Sequence, residues 1–413
     1  MSTSSLPGGV VLEDIEITAM AHGGEGLGRA PDGRVVFIAD TVVGDVVEAE
    51  VTRAKKRWAR ASLTRITVPS PLRQPVSCPA AAAGAGCCDY SHIRPEAQLG
   101  LKADVLRGQL GALANRSGVL DSFDPAADLA VKELDPVRGW RTRVRLGVDG
   151  SGRAGLRRAR CTEVLPGVHC SQVVEGIFDG IVGAHARRFT PGAEVVVVLD
   201  SNSERHVVET TRAQRGRRVE RIDTVVEGRG SVVQRVGVYE FVFPATAFWQ
   251  AHCAAPEHYT AVVEKWGATN DSRRVGWDLY GGVGVFVPAI SQATGGGHVD
   301  SVDYSPTAAT PQPSLDGFDV RRHNQKVEVG FDNFADPALV VLDPPRSGAG
   351  KEVIGKTAHR RPNKVVHVGC DPATFSRDLS FWGEHSYAVK AMELIDAFPG
   401  THHFETIALL EPR

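Results

Sequence analysis

From Arg274 to the C-terminus, apolar strand-like runs, glycine- or proline-marked turns and helix-like stretches alternate. No other feature constrains the fold as much. Such alternation covers a sheet with helices, so it predicts a doubly wound α/β domain with a parallel sheet. Upstream the pattern changes. Between Val10 and Ile66 the short β-rich runs ITAM, RVVFI, DVVEAEV and ARASLTRI are separated by HGGEGLGR, APDG and TVVGD, which predicts a small antiparallel barrel. A proline-rich joint, VPSPLRQP, follows at Val68 to Pro75. The run from Ile93 onward then has Leu99, Leu101, Val105, Leu106 and Leu110 at helical spacing, which predicts a helix over about 94–118. Strand-like runs return from Val131 to Pro244. Three units are expected: a barrel over 1–68, a cysteine-containing and β-rich central domain over 69–245 whose helix packs on the last unit, and the α/β domain over 246–413.

Composition narrows the class. The chain has 413 residues, 42% hydrophobic and 23% charged, with a formal net charge of -2, which describes an ordinary globular protein rather than a disordered, collagen-like or coiled-coil one. Near-neutrality excludes a uniformly basic coat but not local basic patches. Arg53, Lys55, Lys56, Arg57 and Arg60 surround Trp58 with no acid among them. That arrangement suits a phosphate backbone with one base to stack on, and it equally suits a charged strand edge that discourages aggregation. Three arginine groups mark the centre: Arg138, Arg141, Arg143 and Arg145; Arg153, Arg157, Arg158 and Arg160; Arg212, Arg215, Arg217 and Arg218. They predict a face for an anionic partner. No basic stretch precedes an apolar core at the start, and the apolar runs fall far short of the ~20 residues of a membrane span. With an odd count of seven cysteines, a reducing, cytoplasmic location is expected.

The chemistry-bearing residues fall at predicted strand ends. RRVGWDLYGGVGVFVPAI reads as strand, glycine turn and helix start, with Asp278, Gly281, Gly282 and Gly284 allowing close approach of a ligand to backbone. The pattern is not GxGxxG, which disfavours a dinucleotide. HVDSVDYS ends a strand in Asp303, placed to hydrogen-bond a ribose, and ALVVLD ends in Asp343-Pro344-Pro345-Arg346. This ordered set resembles an S-adenosylmethionine-dependent methyltransferase. VVHVGCDPATFSRDL puts Cys370 after another β-rich run, and Asp371-Pro372 then breaks the strand. In DAFPGTHHFETIALL, Glu405 opens the last strand. Cys161 and Cys253 are expected to be structural.

FWQ at Phe248 to Gln250, DLYGGVG, LDPPRSGAG, GCDPATFSRD and FPGTHHFE occur in one order over most of the chain. That order resembles the RNA 5-methyluridine (uracil-C5) methyltransferase family, and the N-terminal barrel looks like its OB-like TRAM domain. The resemblance implies a Rossmann-like catalytic domain with S-adenosyl-L-methionine as cofactor. It further implies Cys370 as nucleophile, Glu405 as general base, Gln250, Tyr280, Asp303 and Asp343 as cofactor contacts, and Phe248 beside a flipped base. The set matches the chemistry. Carbon 5 of uracil becomes nucleophilic only when a thiolate adds at carbon 6, and a base must then remove the carbon-5 proton so that the thiolate can leave. A 5-methylcytosine enzyme would carry a cysteine in the Asp-Pro-Pro motif, and none is there.

Family members of this architecture also hold a [4Fe–4S] cluster on a C-x5-C-x2-C run plus a distant cysteine. Here Cys78, Cys87, Cys88 and Cys170 fill that role, with Ala85 standing at the second ligand position and Cys87 two residues on. The departure leaves three readings open: a cluster, a zinc site, or a loop without metal. RNA is the expected partner, ribosomal RNA ahead of transfer RNA, and the expected state is a monomer. A non-catalytic RNA-binding factor is the rival, and the presence of both Cys370 and Glu405 counts against it.

Overall fold

The computed structural model describes residues 8–113, 117–216, 218–330 and 332–413. The chain start, the expected tail of the helix at 114–116, and Arg217 lie outside the described residues.

The N-terminal unit is a rolled six-stranded sheet: β1 (Val11–Glu16), β2 (Ala19–Met20), β3 (Gly26–Arg29), β4 (Val35–Ile38), β5 (Val46–Ala54) and β6 (Trp58–Val68), in the order β1-β5-β6-β4-β3-β2. Alternate residues point inward, so Ile15, Val36, Ile38, Val47, Ala49 and Val51 form its core. It is not wholly antiparallel as expected. β6 is long enough to pair with β5 on one side and, in parallel, with β4 on the other.

The central unit carries the short helix α1 (Pro79–Ala82), the longer α2 (Pro95–Gly111) and nine strands: β7 (Ala130–Glu133), β8 (Arg143–Val148), β9 (Ala154–Arg157), β10 (Val164–Pro166), β11 (Glu194–Leu199), β12 (Arg205–Arg215), β13 (Arg218–Glu227), β14 (Ser231–Val236) and β15 (Tyr239–Pro244). β10-β9-β8-β11-β12-β13 form one antiparallel sheet, and β14 and β15 a separate hairpin. By register Arg143 and Arg145 of β8 and Arg157 of β9 share one face of this sheet, and each has a partner within the chain. Arg145 and Arg157 pair with Glu194, Arg158 with Glu163 and Arg160 with Glu25, while Arg143 turns inward to donate to the Ala245 carbonyl at 3.0 Å.

The C-terminal layer is an eight-stranded sheet built on α3 (Ala255–Gly267), β16 (Val275–Leu279), α4 (Val287–Ala293), β17 (His298–Asp303), β18 (Val320–Asn324), β19 (Leu339–Leu342), α5 (Gly350–His359), β20 (Lys364–Gly369), α6 (Pro372–Glu384), β21 (Tyr387–Asp396) and β22 (Glu405–Pro412). Its order is β18-β17-β16-β19-β20-β22-β21-β7, parallel throughout except for β22, which runs antiparallel between β20 and β21. Two elements of the stretch 69–245 lie in this layer: β7 is its edge strand, and α2 packs against α6. Met20 and Val42 of the barrel share an apolar cluster with Trp277, Leu279 and Leu342, so the barrel is anchored to the sheet rather than tethered to it. Among the described residues no helix is long and apolar enough to cross a membrane.

Candidate active site

In an open parallel sheet, ligands bind beyond the carboxyl ends of the strands where strand order reverses. Here the reversal falls between β16 and β19, and Tyr280, Asp303, Asp343, Cys370 and Glu405 stand at that edge. Tyr280 follows β16 with φ 63°. Gly281 is obligatory, because a Cβ there would lie 2.2 Å from Asp278 Oδ2 and 2.5 Å from Ser301 Oγ. Asp303, at the end of β17, accepts from the Gly282 amide at 3.1 Å, so its carboxylate pins the glycine turn. Asp278 is 1% exposed: Oδ2 accepts from Ser301 Oγ at 2.9 Å, Oδ1 has no partner among the described residues, and burial pushes its carboxyl up to about 7. Asp343 follows β19, and burial, with the Asp303 charge adding to it, pushes it up to about 7 as well.

Cys370 follows β20 and Glu405 opens β22. The antiparallel register pairs Gly369 with Thr406, so the next step brings Cys370 and Glu405 opposite each other. Glu405 is buried, its Oε2 has no partner among the described residues, and burial together with Asp343 holds its carboxyl well above the usual range. Burial, then Glu405 and Asp343, pushes the Cys370 thiol up to about 12, and Arg346 opposes both shifts. Between β15 and α3, Gln250 is half-buried and Phe248 is 77% exposed. Cys161 and Cys253, expected to be structural, are exposed.

Two site residues escaped the sequence reading. Tyr259 on α3 buries a hydroxyl without a partner among the described residues, beside the charges of Glu405, Asp343 and Cys370, and burial raises its pKa well above the ordinary value. The other lies in the barrel. His22, in the β2–β3 loop, meets Asp371 Oδ2 at 2.8 Å, and its ring lies edge-on to Phe404 at 6.5 Å. Asp371 Oδ1 meanwhile accepts from the Ala373 and Thr374 amides and caps α6. His22 thus touches the neighbours of both Cys370 and Glu405. The segment HGGEG shows only a turn in sequence, and nothing local marks a contact across 349 residues.

The sulfurs of Cys78, Cys87, Cys88 and Cys170 converge within 4.8 Å of one another, with Cys88 3.3 Å and Cys78 3.9 Å from Cys170. The adjacent pair Cys87-Cys88 therefore reaches one centre despite its unusual spacing. Four thiolates suit iron–sulfur or zinc. A single tetrahedral ion with metal–sulfur bonds of ~2.3 Å sets its sulfurs ~3.8 Å apart, close to these spacings.

Comparison with known proteins follows the same division of the chain. Residues 12–64 match the family described as TRAM domain, and residues 317–413 match tRNA (Uracil-5-)-methyltransferase. An RNA methyltransferase of Corynebacterium glutamicum, named as uncharacterized, is 45% identical over 96% of this chain and 95% of its own. One of Streptomyces coelicolor is 33% identical over 97% and 92%. The fold is similar to that of Pyrococcus abyssi tRNA (uracil-54, C5)-methyltransferase, solved with S-adenosyl-L-homocysteine, at a TM-score of 0.70 with 19% identity over 96% of this chain and 99% of that one. The chain belongs to the RNA (uracil-5-)methyltransferase family and carries a TRAM domain at its N-terminal end.

Proposed function

We propose that this protein methylates carbon 5 of a uridine in RNA, using S-adenosylmethionine, with Cys370 as nucleophile and Glu405 as base. The observation that carries the reading is the β20–β22 register, which sets the thiol opposite a buried carboxyl at the edge where the glycine turn, Asp303 and Asp343 converge. On the family resemblance Gln250, Tyr280, Asp303 and Asp343 contact the cofactor, and Phe248, which is exposed, stacks near the extruded base. Bound there, S-adenosylmethionine would supply an electrophilic methyl group and a positive charge that favours the thiolate. The Cys370 thiolate would add to carbon 6, the carbon 5–carbon 6 π pair making carbon 5 nucleophilic. Carbon 5 would take the methyl group as the bond from that methyl to the sulfonium sulfur breaks and S-adenosylhomocysteine leaves. Glu405 then accepts the carbon-5 proton, the carbon–sulfur bond breaks and the thiolate leaves. A carboxylate held above its ordinary pKa is the stronger base for that proton.

The substrate we assign is large-subunit ribosomal RNA, acted on by a monomer in the cytoplasm, with transfer RNA as the second reading because the similar fold from Pyrococcus abyssi carries that substrate in its name. Cys78, Cys87, Cys88 and Cys170 hold a thiolate-bound metal centre, an iron–sulfur cluster on the family resemblance or one zinc ion on the sulfur spacing. The test is transfer of labelled methyl groups from S-adenosylmethionine to separated ribosomal and transfer RNA, followed by nucleoside analysis. Label in 5-methyluridine that disappears with Cys370→Ala is expected. No transfer by protein purified without oxygen would refute the reading.

A further inference from the structure

The loop 397–404 leads from β21 into Glu405, and most of what fixes its shape lies outside it. The Tyr90 amide donates to the Gly400 carbonyl at 3.0 Å, and the Gly400 amide donates to Gln98 Oε1 at 2.8 Å. Asp89 Oδ1 accepts from the His402 amide at 3.0 Å, and its other oxygen pairs with the His402 ring. Gln172 closes the far side: a Cβ on Gly400, whose φ is +81°, would lie 2.0 Å from Gln172 Nε2. These clamps sit beside the cysteine centre in sequence. Asp89 and Tyr90 directly follow Cys88, and Gln172 is two residues beyond Cys170.

The stretch 83–92 contains no helix or strand. Its backbone amides are held by turn bonds and by single bonds to Arg157 and Gly400. The amides of Cys87, Cys88 and Asp89 make no backbone bond among the described residues, so the segment that bears two of the cysteines has the least support against the ~1–2 kcal/mol of backbone entropy lost at each residue. A metal tie between Cys78, Cys88 and Cys170, which join segments 82 and 92 residues apart, would add that support.

We propose that the four-cysteine centre is the brace of the loop that carries the base: metal held by Cys78, Cys87, Cys88 and Cys170 fixes Asp89, Tyr90 and Gln172 against 397–404, and so fixes Glu405. The centre then has no redox part in methyl transfer. Its loss spares adduct formation at Cys370 and impairs the proton removal that resolves the adduct. This rests on the reading of Glu405 as base, but its first test does not.

Hydrogen–deuterium exchange is measured on full-length protein as purified and after stripping with ferricyanide and EDTA followed by thiol. Exchange in 397–404 is expected to rise about tenfold or more, with the β16 and β19 peptides unchanged, as for local rather than global opening. Unchanged exchange in the loop overturns the proposal, and so does an equal rise in every peptide, which would make the centre a support of the whole fold. Should stripped protein precipitate, Asp89→Ala keeps all four cysteines. It is expected to retain its metal yet loosen the same loop, and a loop as protected as wild type overturns the proposal. The second test follows RNA covalently attached to Cys370 on denaturing gels. Both altered forms are expected to accumulate adduct and release 5-methyluridine about 10–100-fold more slowly. Slower release without accumulated adduct also overturns it. Absence of 5-methyluridine from the untreated wild type instead removes the functional reading and leaves the exchange result standing.

Discussion

Asp278 tests whether the floor of the cofactor cleft is as dry as its geometry indicates. Its carboxyl is buried, one oxygen accepts from Ser301 and the other has no partner among the described residues, and burial moves the group from 3.8 to about 7. For an acid whose folded pKa is raised, the fold holds a proton that the unfolded chain has released. Below about pH 4 both states are protonated and nothing is lost. Between about pH 4 and pH 7 stability falls as pH rises, by ~1.4 kcal/mol per unit, and above pH 7 the loss is constant at about 4 kcal/mol. Asp278→Asn removes the titration. Its amide adds a donor where an oxygen stood, a penalty of about 1–3 kcal/mol that does not depend on pH. The diagnostic is therefore the slope and not the offset. Urea denaturation of the wild type and Asp278→Asn at half-unit steps from pH 4 to pH 9 should give a difference that moves in favour of the variant by about 4 kcal/mol and flattens above pH 7. A difference that stays constant across that range would show that water reaches Asp278 and would refute the burial argument.

Two further contacts give separate predictions. His22→Ala should lower the turnover of full-length enzyme by about 10–100-fold at unchanged KM for RNA, with His22→Gln recovering much of it, because His22 bonds Asp371, the residue next to Cys370, and on the proposed reading steadies it. Alkylation of Cys370, followed by peptide mass spectrometry, should change in His22→Ala while Cys161 and Cys253 react as before, and a rise in KM alone would contradict this. Lys102 is fully buried on α2 with Nζ 2.7 Å from Asp396 Oδ1, so Lys102→Met strands a buried carboxylate and should cost about 3–5 kcal/mol in denaturant unfolding. Adding Asp396→Asn should recover about 1–3 kcal/mol of it, and additive losses would mean that the two side chains do not interact.

The parts of this fold legible in the sequence are those written locally. Strands covered on both faces leave apolar runs such as Leu339–Leu342, and a glycine that must clear Asp278 and Ser301 leaves Gly281 after β16. The ends of those runs pointed to Asp303, Asp343 and Cys370 without any knowledge of strand order, whereas Tyr280 came only from the family resemblance. What escaped depends on partners distant in sequence. The parallel β4–β6 pair follows from the length of β6, and β7 reads as one more strand of the central region until its pairing with β21 is seen. The central arginines cluster in sequence, and Arg143, Arg145 and Arg157 share a sheet face, but the acids and carbonyls that engage them come from other strands and could not be read locally. His22 belongs to a glycine-rich turn whose chemical use depends on a docked domain.

Glu405 differs from the other residues at this edge in how its strand delivers it. Every strand that precedes the site, β16, β17, β19 and β20, delivers its residue at its carboxyl end. Glu405 stands at the start of its strand. It reaches the same edge only because β22 runs antiparallel between β20 and β21. Reversed, the eight residues of β22 would carry the carboxyl about 25 Å away, at ~3.4 Å per residue. The chain leaving β21 at Asp396 must therefore turn back within 397–404 and present Glu405 at once, with no length of strand between the loop and the base to absorb error. A displacement of the loop becomes a displacement of the carboxyl, and about 1 Å of misplacement is enough to cost a hundredfold in rate. Lys102, Gln98, Tyr90, Asp89 and Trp140, all from the central region, bond to this loop or its shoulder. The central region thus fixes the geometry of one short return, and on the proposed reading a metal held by its cysteines would act on Glu405 through that return.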